Sequence, residues 1–107
     1  MVSVYDTYAT TIAKANDEFR QAGWGITMTP GVQYMQNVNG LMKLIREYDT
    51  FNENNDPYGE HDFGSLTWQG GKVFWKIDYY NQTLDGGVSP LSPECCRVMT
   101  VMLAEEY

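Results

Sequence analysis

The chain has 107 residues, of which 43% are hydrophobic and 14% aromatic, so we expect one folded domain over residues 1–107. Its net charge of −7 argues against direct binding to nucleic acid or to an anionic membrane, because both require a basic surface. A secretory signal is not evident and no apolar run is long enough to span a bilayer, which predicts a cytoplasmic protein.

The first predicted element is an amphipathic helix. Apolar residues recur at steps of three and four from Tyr5 to Phe19, which is the spacing of one helix face. Ser3 or Asp6 would cap its start, and Gly23 would end it. A short strand over residues 24–28 follows, ended by Pro and Gly at positions 30 and 31.

A second helical stripe runs over residues 34–48 and is clearest from residue 41 onward, since Gly and Asn weaken its first half. Residues 52–59 are rich in turn-forming types and predict a long loop. Two strands over residues 62–68 and 72–80 then form a hairpin about Gln69-Gly70-Gly71. The second of these carries bulky side chains on both faces, which predicts a central position in the sheet.

The last predicted element is a helix that starts at Ser92-Pro93-Glu94 and continues through residues 95–103. Its adjacent cysteines, Cys95 and Cys96, are expected to be reduced and structural. The element order α-β-α-β-β-α predicts an α+β fold, with helices packed on a three-stranded, largely antiparallel sheet.

Several segments resemble one small protein family. The resemblance is carried by residues 55–64 (NDPYGEHDFG), 75–80 (WKIDYY) and 102–107 (MLAEEY). It extends to residues 16–20 (NDEFR) and 29–32 (TPGV). On these segments the chain is identified as a member of the domain-of-unknown-function family 3768. The resemblance implies a bacterial source, with a mobile element as one possible context. It also indicates that a property common to the family would lie in residues 55–64 or 75–80.

Negative charge is concentrated in the second part of the chain. Residues 1–46 hold three acids and four bases, a balance of +1, whereas residues 47–107 hold eleven acids and three bases, a balance of −8. Six of those acids lie between Glu47 and Gly71, where there is no Lys or Arg. Because like charges repel, the missing cations indicate a use for the negative charge.

Catalytic motifs are not recognisable in this acidic segment. A calcium loop fitted to residues 52–63 places Pro57 where Gly is required and Phe63 where a bidentate Glu is required. The chain has one histidine, too few for a histidine-rich metallohydrolase, and it lacks a phosphate-binding Gly-rich loop. We therefore expect a non-enzymatic protein without a cofactor. We interpret His61, Pro57 and Gly59 as structural residues of the loop.

The sequence predicts an inhibitor that imitates a nucleic-acid backbone. Its partner would be a basic nucleic-acid-binding protein or complex of a bacterial defence system, of the anti-CRISPR or anti-restriction type. The candidate partner-binding residues are Glu47, Asp49, Glu53, Asp56, Tyr58, Glu60, Asp62 and Asp78. Two alternatives stay open. One is an acidic domain whose charge provides only solubility, and the other is a metal-dependent hydrolase that uses His61 with Asp56, Asp62 or Asp78.

Overall fold

A computed structural model describes residues 4–107, with side chains from Tyr8 onward. Within that range the helices lie on one face of a mixed sheet, so the predicted α+β class is confirmed. None of the helices in this part of the chain is long and apolar enough to cross a membrane. The elements are α1 Val4–Ala22, β1 Ile26–Met28, α2 Pro30–Gln33, α3 Val38–Arg46, β2 Phe63–Trp68, β3 Gly71–Tyr80, β4 Cys96–Leu103 and a final 3₁₀ turn Ala104–Glu106.

The sheet has four strands in the order β1-β4-β3-β2. β1 runs parallel to β4, while β4, β3 and β2 are antiparallel neighbours. The prediction of three largely antiparallel strands is therefore wrong in strand number, and the sheet is mixed because β1 is parallel to β4. The central place predicted for β3 is confirmed, since β3 pairs with β4 on one side and β2 on the other.

The predicted last helix is instead the strand β4. Its residues alternate between two faces, with Met99 and Val101 fully buried in the core. Apolar residues occur on both faces of β4, with Val98 and Met102 on the face opposite Met99 and Val101, and that pattern also fits a helix. Ser92, which looked like a helix cap, belongs to a turn in which its carbonyl accepts a hydrogen bond from the Cys95 amide at 3.1 Å.

The β2–β3 hairpin follows the prediction closely. Its two-residue turn is Gln69-Gly70, and both residues have positive φ, at 53° and 78°. Turns of this kind match the right-handed twist of the flanking strands. The turn therefore fixes the register that places Trp75 opposite Gly64.

The helix predicted over residues 34–48 is shorter in the structure. Tyr34 ends α2, and α3 begins at Val38 after Asn37. The Asn37 side chain accepts a hydrogen bond from the Gly40 amide at 3.2 Å, so it caps the helix. The α3 face formed by Leu41, Met42 and Ile45 packs into the core.

Two polar side chains occupy the buried face of α1. Asn16 is fully buried and Arg20 is 1% exposed, beside the buried Ile12 and Ala13. The apolar stripe used to predict α1 therefore does not coincide with its buried face, and Tyr8 is 51% exposed. The predicted capping residues Ser3 and Asp6, and the side chain of Tyr5, lie outside the described residues and side chains.

Candidate functional site

His61 connects the acidic loop to α1. Its Nδ1 lies 3.0 Å from each carboxylate oxygen of Asp17, and its Nε2 lies 3.6 Å from Oδ2 of Asp56. The imidazole stacks on the ring of Phe51, with centroids 3.8 Å apart and an interplanar angle of 5°. The ring is thus held from both nitrogens and from one face.

Local turns produce this placement. The Asp56 amide donates to the Asn52 carbonyl at 2.8 Å, and the Gly59 amide donates to the Asp56 carbonyl at 3.0 Å. Gly59 has φ of +68°, a conformation that favours glycine. His61 itself has φ of +56°, and its amide donates to the Asp56 carboxylate at 3.3 Å. A backbone conformation that is uncommon for histidine is therefore stabilised by Asp56.

Arg20 lies beneath this junction as a buried cation. Its Nη1 lies 3.0 Å from Oδ1 of Asp17, and its Nη2 donates to the Tyr48 carbonyl at 3.0 Å. The guanidinium carbon is 5.4 Å from the Phe51 ring centroid and 5.0 Å from that of Trp75. Asp17 therefore bridges Arg20 and His61, and the three groups join α1 to the loop and the sheet.

A second polar network surrounds Asn16. Its Nδ2 lies 2.9 Å from both the Glu60 carbonyl and the Tyr79 hydroxyl, while its Oδ1 accepts from Nε of Arg97 at 2.7 Å. The Tyr79 hydroxyl donates to the Glu60 carboxylate at 3.1 Å. Burial raises the pKa of Tyr79 well above its ordinary value; the Asn16 hydrogen bond opposes this, and Asp62 and Glu60 add to it. The phenol therefore stays protonated as a donor.

The side chains around His61 in the described residues do not form a metal site. The two ring nitrogens of His61 point in different directions, each toward its own carboxylate, so Asp17 and Asp56 do not converge with one nitrogen on a common point. Among the described residues, no group of three His, Cys, Asp or Glu side chains is placed to hold a metal ion. A cleft of about 400 Å³ opens beside the ring, lined in part by Asn52, Glu53 and Tyr58.

The predicted partner-binding residues fall into two groups. Glu47, Asp49, Glu53 and Tyr58 are exposed, at the end of α3 and along the loop that follows. The other four are more enclosed. The Asp56 side chain is 6% exposed against His61, Glu60 accepts from Tyr79, Asp62 is half-buried, and Asp78 pairs with Lys76 at 2.9 Å.

The pKa of Asp62 reflects both its burial and the acids around it. Burial is the first reason why its pKa is raised, and repulsion from Glu60 is the second. Hydrogen bonding to its backbone acts in the opposite direction, while Asp56 and Asp78 add further to the upward shift. The enclosed acids are thus close enough to repel one another.

Residues 28–106 match the protein family whose description is "protein of unknown function (DUF3768)". The chain belongs to the DUF3768 family. The matched range contains the acidic loop, His61 and all the strands except the first part of β1, and it begins after α1. No curated protein and no solved structure matches this DUF3768 chain.

Sequence reasoning missed the α1 residues of both networks. Asn16, Asp17 and Arg20 contact the loop and the sheet, although none was a candidate site residue. A signal was present, because a polar Asn and an Arg lie four residues apart and both face the same way on a helix. The segment 16–20 also formed part of the family resemblance.

Proposed function

We propose that this DUF3768 protein is a non-enzymatic interaction protein that binds a basic partner through its exposed acids. The class of partner is a nucleic-acid-binding protein of a bacterial defence system, which the acidic surface would occupy in place of nucleic acid. The observation that carries the proposal is a separation of charge, in which Arg20 and Arg97 are directed into the fold while Glu47, Asp49 and Glu53 are exposed.

The inward cations are Arg20 and Arg97. Arg20 is almost fully buried, and Arg97 donates to Asn16 and to the Pro90 carbonyl while it lies 5.4 Å from the Tyr79 ring centroid. Lys76 forms an ion pair with Asp78 at 2.9 Å. Two of the three bases in the acid-rich part of the chain are therefore engaged within the fold, and they cannot neutralise the loop.

The outward acids are Glu47, Asp49 and Glu53. All three are exposed, and none forms an ion pair with another residue of the described range. Between Glu47 and Gly71 the sequence holds no Lys or Arg, and exposed acids in such a segment attract basic proteins over several ångströms and steer their association. The solubility alternative does not require the acids to be kept apart from the bases in this way.

The test is inhibition of nucleases by the purified protein. Plasmid cleavage by a panel of basic enzymes, including a CRISPR effector complex and a restriction endonuclease, is measured with the wild type and with the triple variant Glu47→Lys, Asp49→Lys, Glu53→Lys. The matched control reverses three exposed acids elsewhere, Glu18, Glu94 and Glu105. Each triple changes the net charge from −7 by +6, to −1.

We expect the wild type to inhibit at least one enzyme, with an affinity that falls as salt rises from about 50 to about 200 mM. The loop variant should lose at least about tenfold in affinity, whereas the control should retain most of it. Equal inhibition by the two triple variants would show that net charge alone matters. Absence of inhibition of every enzyme by the wild type would overturn the proposal.

A further inference from the structure

β2 is an edge strand whose outer side is open. It lies at the end of the sheet order, and within residues 4–107 it pairs only with β3. The opposite edge strand, β1, has three residues, whereas β2 has six. At about 3.3 Å per residue, β2 presents roughly 20 Å of strand edge.

The register shows which backbone groups point outward. The Ile77 amide donates to the Asp62 carbonyl at 2.8 Å, so Asp62 and Ile77 form a hydrogen-bonded pair. Such pairs alternate with non-hydrogen-bonded pairs along an antiparallel ladder. The amides and carbonyls of Phe63, Ser65 and Thr67 therefore point away from β3. Within residues 4–107 no backbone hydrogen bond is made on that side.

A groove of about 500 Å³ follows this edge. Leu44, Leu66 and Phe63 supply apolar surface to it, and the acids at its border are Glu47 and Asp49. No Lys or Arg lines the groove. Arg46 is the cation nearest in sequence to Glu47. Its aliphatic part lies against Gly23, with Cδ 3.5 Å from the Cβ position of that glycine, and it does not line the groove.

The strand itself lacks the features that usually prevent edge pairing. Its sequence, FGSLTW, contains neither a charged residue nor a proline. Natural proteins normally protect an edge with lysine, proline, a bulge or a covering segment, because free backbone groups pair readily with another strand. An unprotected edge beside two unpaired carboxylates therefore favours a strand that brings positive charge.

We propose that the free edge of β2 binds an extended segment of the partner that carries lysine or arginine, as an added fifth strand. The segment would hydrogen-bond to Phe63, Ser65 and Thr67 and place alternate side chains against the apolar wall and the two acids. This inference rests on the proposed function and specifies its mode of binding. A second copy of the chain is a poorer occupant, because it would bring its own acids to Glu47 and Asp49.

The experiment uses a nine-residue peptide of alternating Lys and Val with blocked ends, added to the full-length protein. Amide hydrogen exchange, measured by NMR, reports backbone pairing one residue at a time. We expect exchange at Phe63, Ser65 and Thr67 to slow by at least about tenfold. The amides that already pair with β3 should change little. An alternating Glu–Val peptide is the control and should leave exchange unchanged.

A proline substitution isolates the backbone contribution. Ser65→Pro removes one outward donor without removing a hydrogen bond to β3, and proline is tolerated on an edge strand in that orientation. Peptide affinity should fall about fivefold to tenfold, while Ser65→Ala should bind like the wild type. If Ser65→Pro does not fold, the exchange measurement on the unmodified protein decides the question.

The outcomes separate the two proposals. Salt-dependent peptide binding without slower exchange at the three amides would overturn strand addition and leave the proposed function standing. Slower exchange at high protein concentration without peptide would show that a second copy is the occupant. Equal binding of the Glu–Val peptide would refute the role of charge. Failure of the nuclease inhibition assay would refute the proposed function whatever the peptide does.

Discussion

Gly64 is the position where one added methyl group should disturb the fold most clearly. It is buried on β2 opposite Trp75 of β3, and a Cβ at position 64 would overlap the indole, with Cζ2 at 2.6 Å and the Nε1 and Cε2 atoms nearer still. Trp75 is fully buried and makes edge contacts with Tyr48 at 5.4 Å and with Phe51 at 6.1 Å. The indole therefore cannot move without displacing both rings.

We expect Gly64→Ala to lower the free energy of unfolding by about 3 kcal/mol, the upper part of the range for overpacked cores. For a domain of this size that corresponds to a fall in Tm of about 12 °C or more. Thermal denaturation followed by circular dichroism measures it. Gly71→Ala in the same hairpin is the control, because its nearest neighbours lie at 3.6 and 3.7 Å, and it should be close to neutral.

A double-mutant cycle identifies the cause. Trp75→Phe removes the part of the ring that the new methyl would overlap, and no hydrogen bond to the described part of the chain is lost, since the indole nitrogen has no partner there. In the Trp75→Phe background, Gly64→Ala should lower the free energy of unfolding by less than about 1 kcal/mol. The coupling energy between positions 64 and 75 is then about 2 kcal/mol. A Gly64→Ala melting point within about 2 °C of the wild type, or an equal cost in both backgrounds, would refute the reasoning.

Three further predictions concern buried and hydrogen-bonded charges. Arg20→Ala should destabilise the fold by about 3–5 kcal/mol in urea denaturation, because it removes a buried guanidinium that bonds to Asp17 and to the Tyr48 carbonyl and because it opens a cavity, whereas exposed Lys43→Ala should change stability by less than about 0.5 kcal/mol. Burial and repulsion from Glu60 raise the pKa of Asp62 above 3.8, so the contribution of Asp62 to stability should fall as pH rises through the window just above that value. Relative to the wild type, Asp62→Asn should gain stability through that window and be more stable at pH 7; a difference that does not change with pH would contradict this. A hydrogen bond from Thr29, followed by those from the amides of Leu103 and Gly31, lowers the pKa of Glu106 below 4.5. Glu106→Gln should therefore be less stable than the wild type at neutral pH. The difference should vanish in thermal denaturation at a pH well below the pKa of Glu106.

The parts of the fold that could be predicted are those governed by local chemistry. The β2–β3 hairpin depends on a two-residue turn containing Gly70 and on alternating aromatic residues, and both signals lie within one short segment. β1 was predicted from three alternating residues and ends where Pro30 begins α2. These elements needed no information about distant partners.

β4 was not predictable in the same way, because its environment decides its structure. Residues 98–103 of β4 are apolar except for Thr100, so apolar side chains occur on both faces of the strand and the period of two is lost. The helix-start signal at residues 92–94 was chemically sound, but those residues form a turn that leads into the strand. Only the pairing with β1 and β3, which are distant in sequence, separates the two interpretations.

The candidate site shows the same division. Turn chemistry predicted the loop around Pro57 and Gly59, and composition predicted its negative charge. The buried contacts of Asn16 and Arg20 depend on which face of α1 meets the sheet, and the apolar stripe indicated a neighbouring face. The open edge of β2 likewise depends on strand order, which does not follow from the residues of β2 alone.

The parallel pairing of β1 with β4 has a consequence for how the chain folds. Ile26 pairs with Met99, which lies 73 residues later in the chain. β1 can therefore join the sheet only once β4 is present. Closing a flexible loop of that length costs about 4 kcal/mol in chain entropy, which slows folding. On the ribosome, the β2–β3 hairpin can therefore form first, and β1 joins only after β4 has been synthesised.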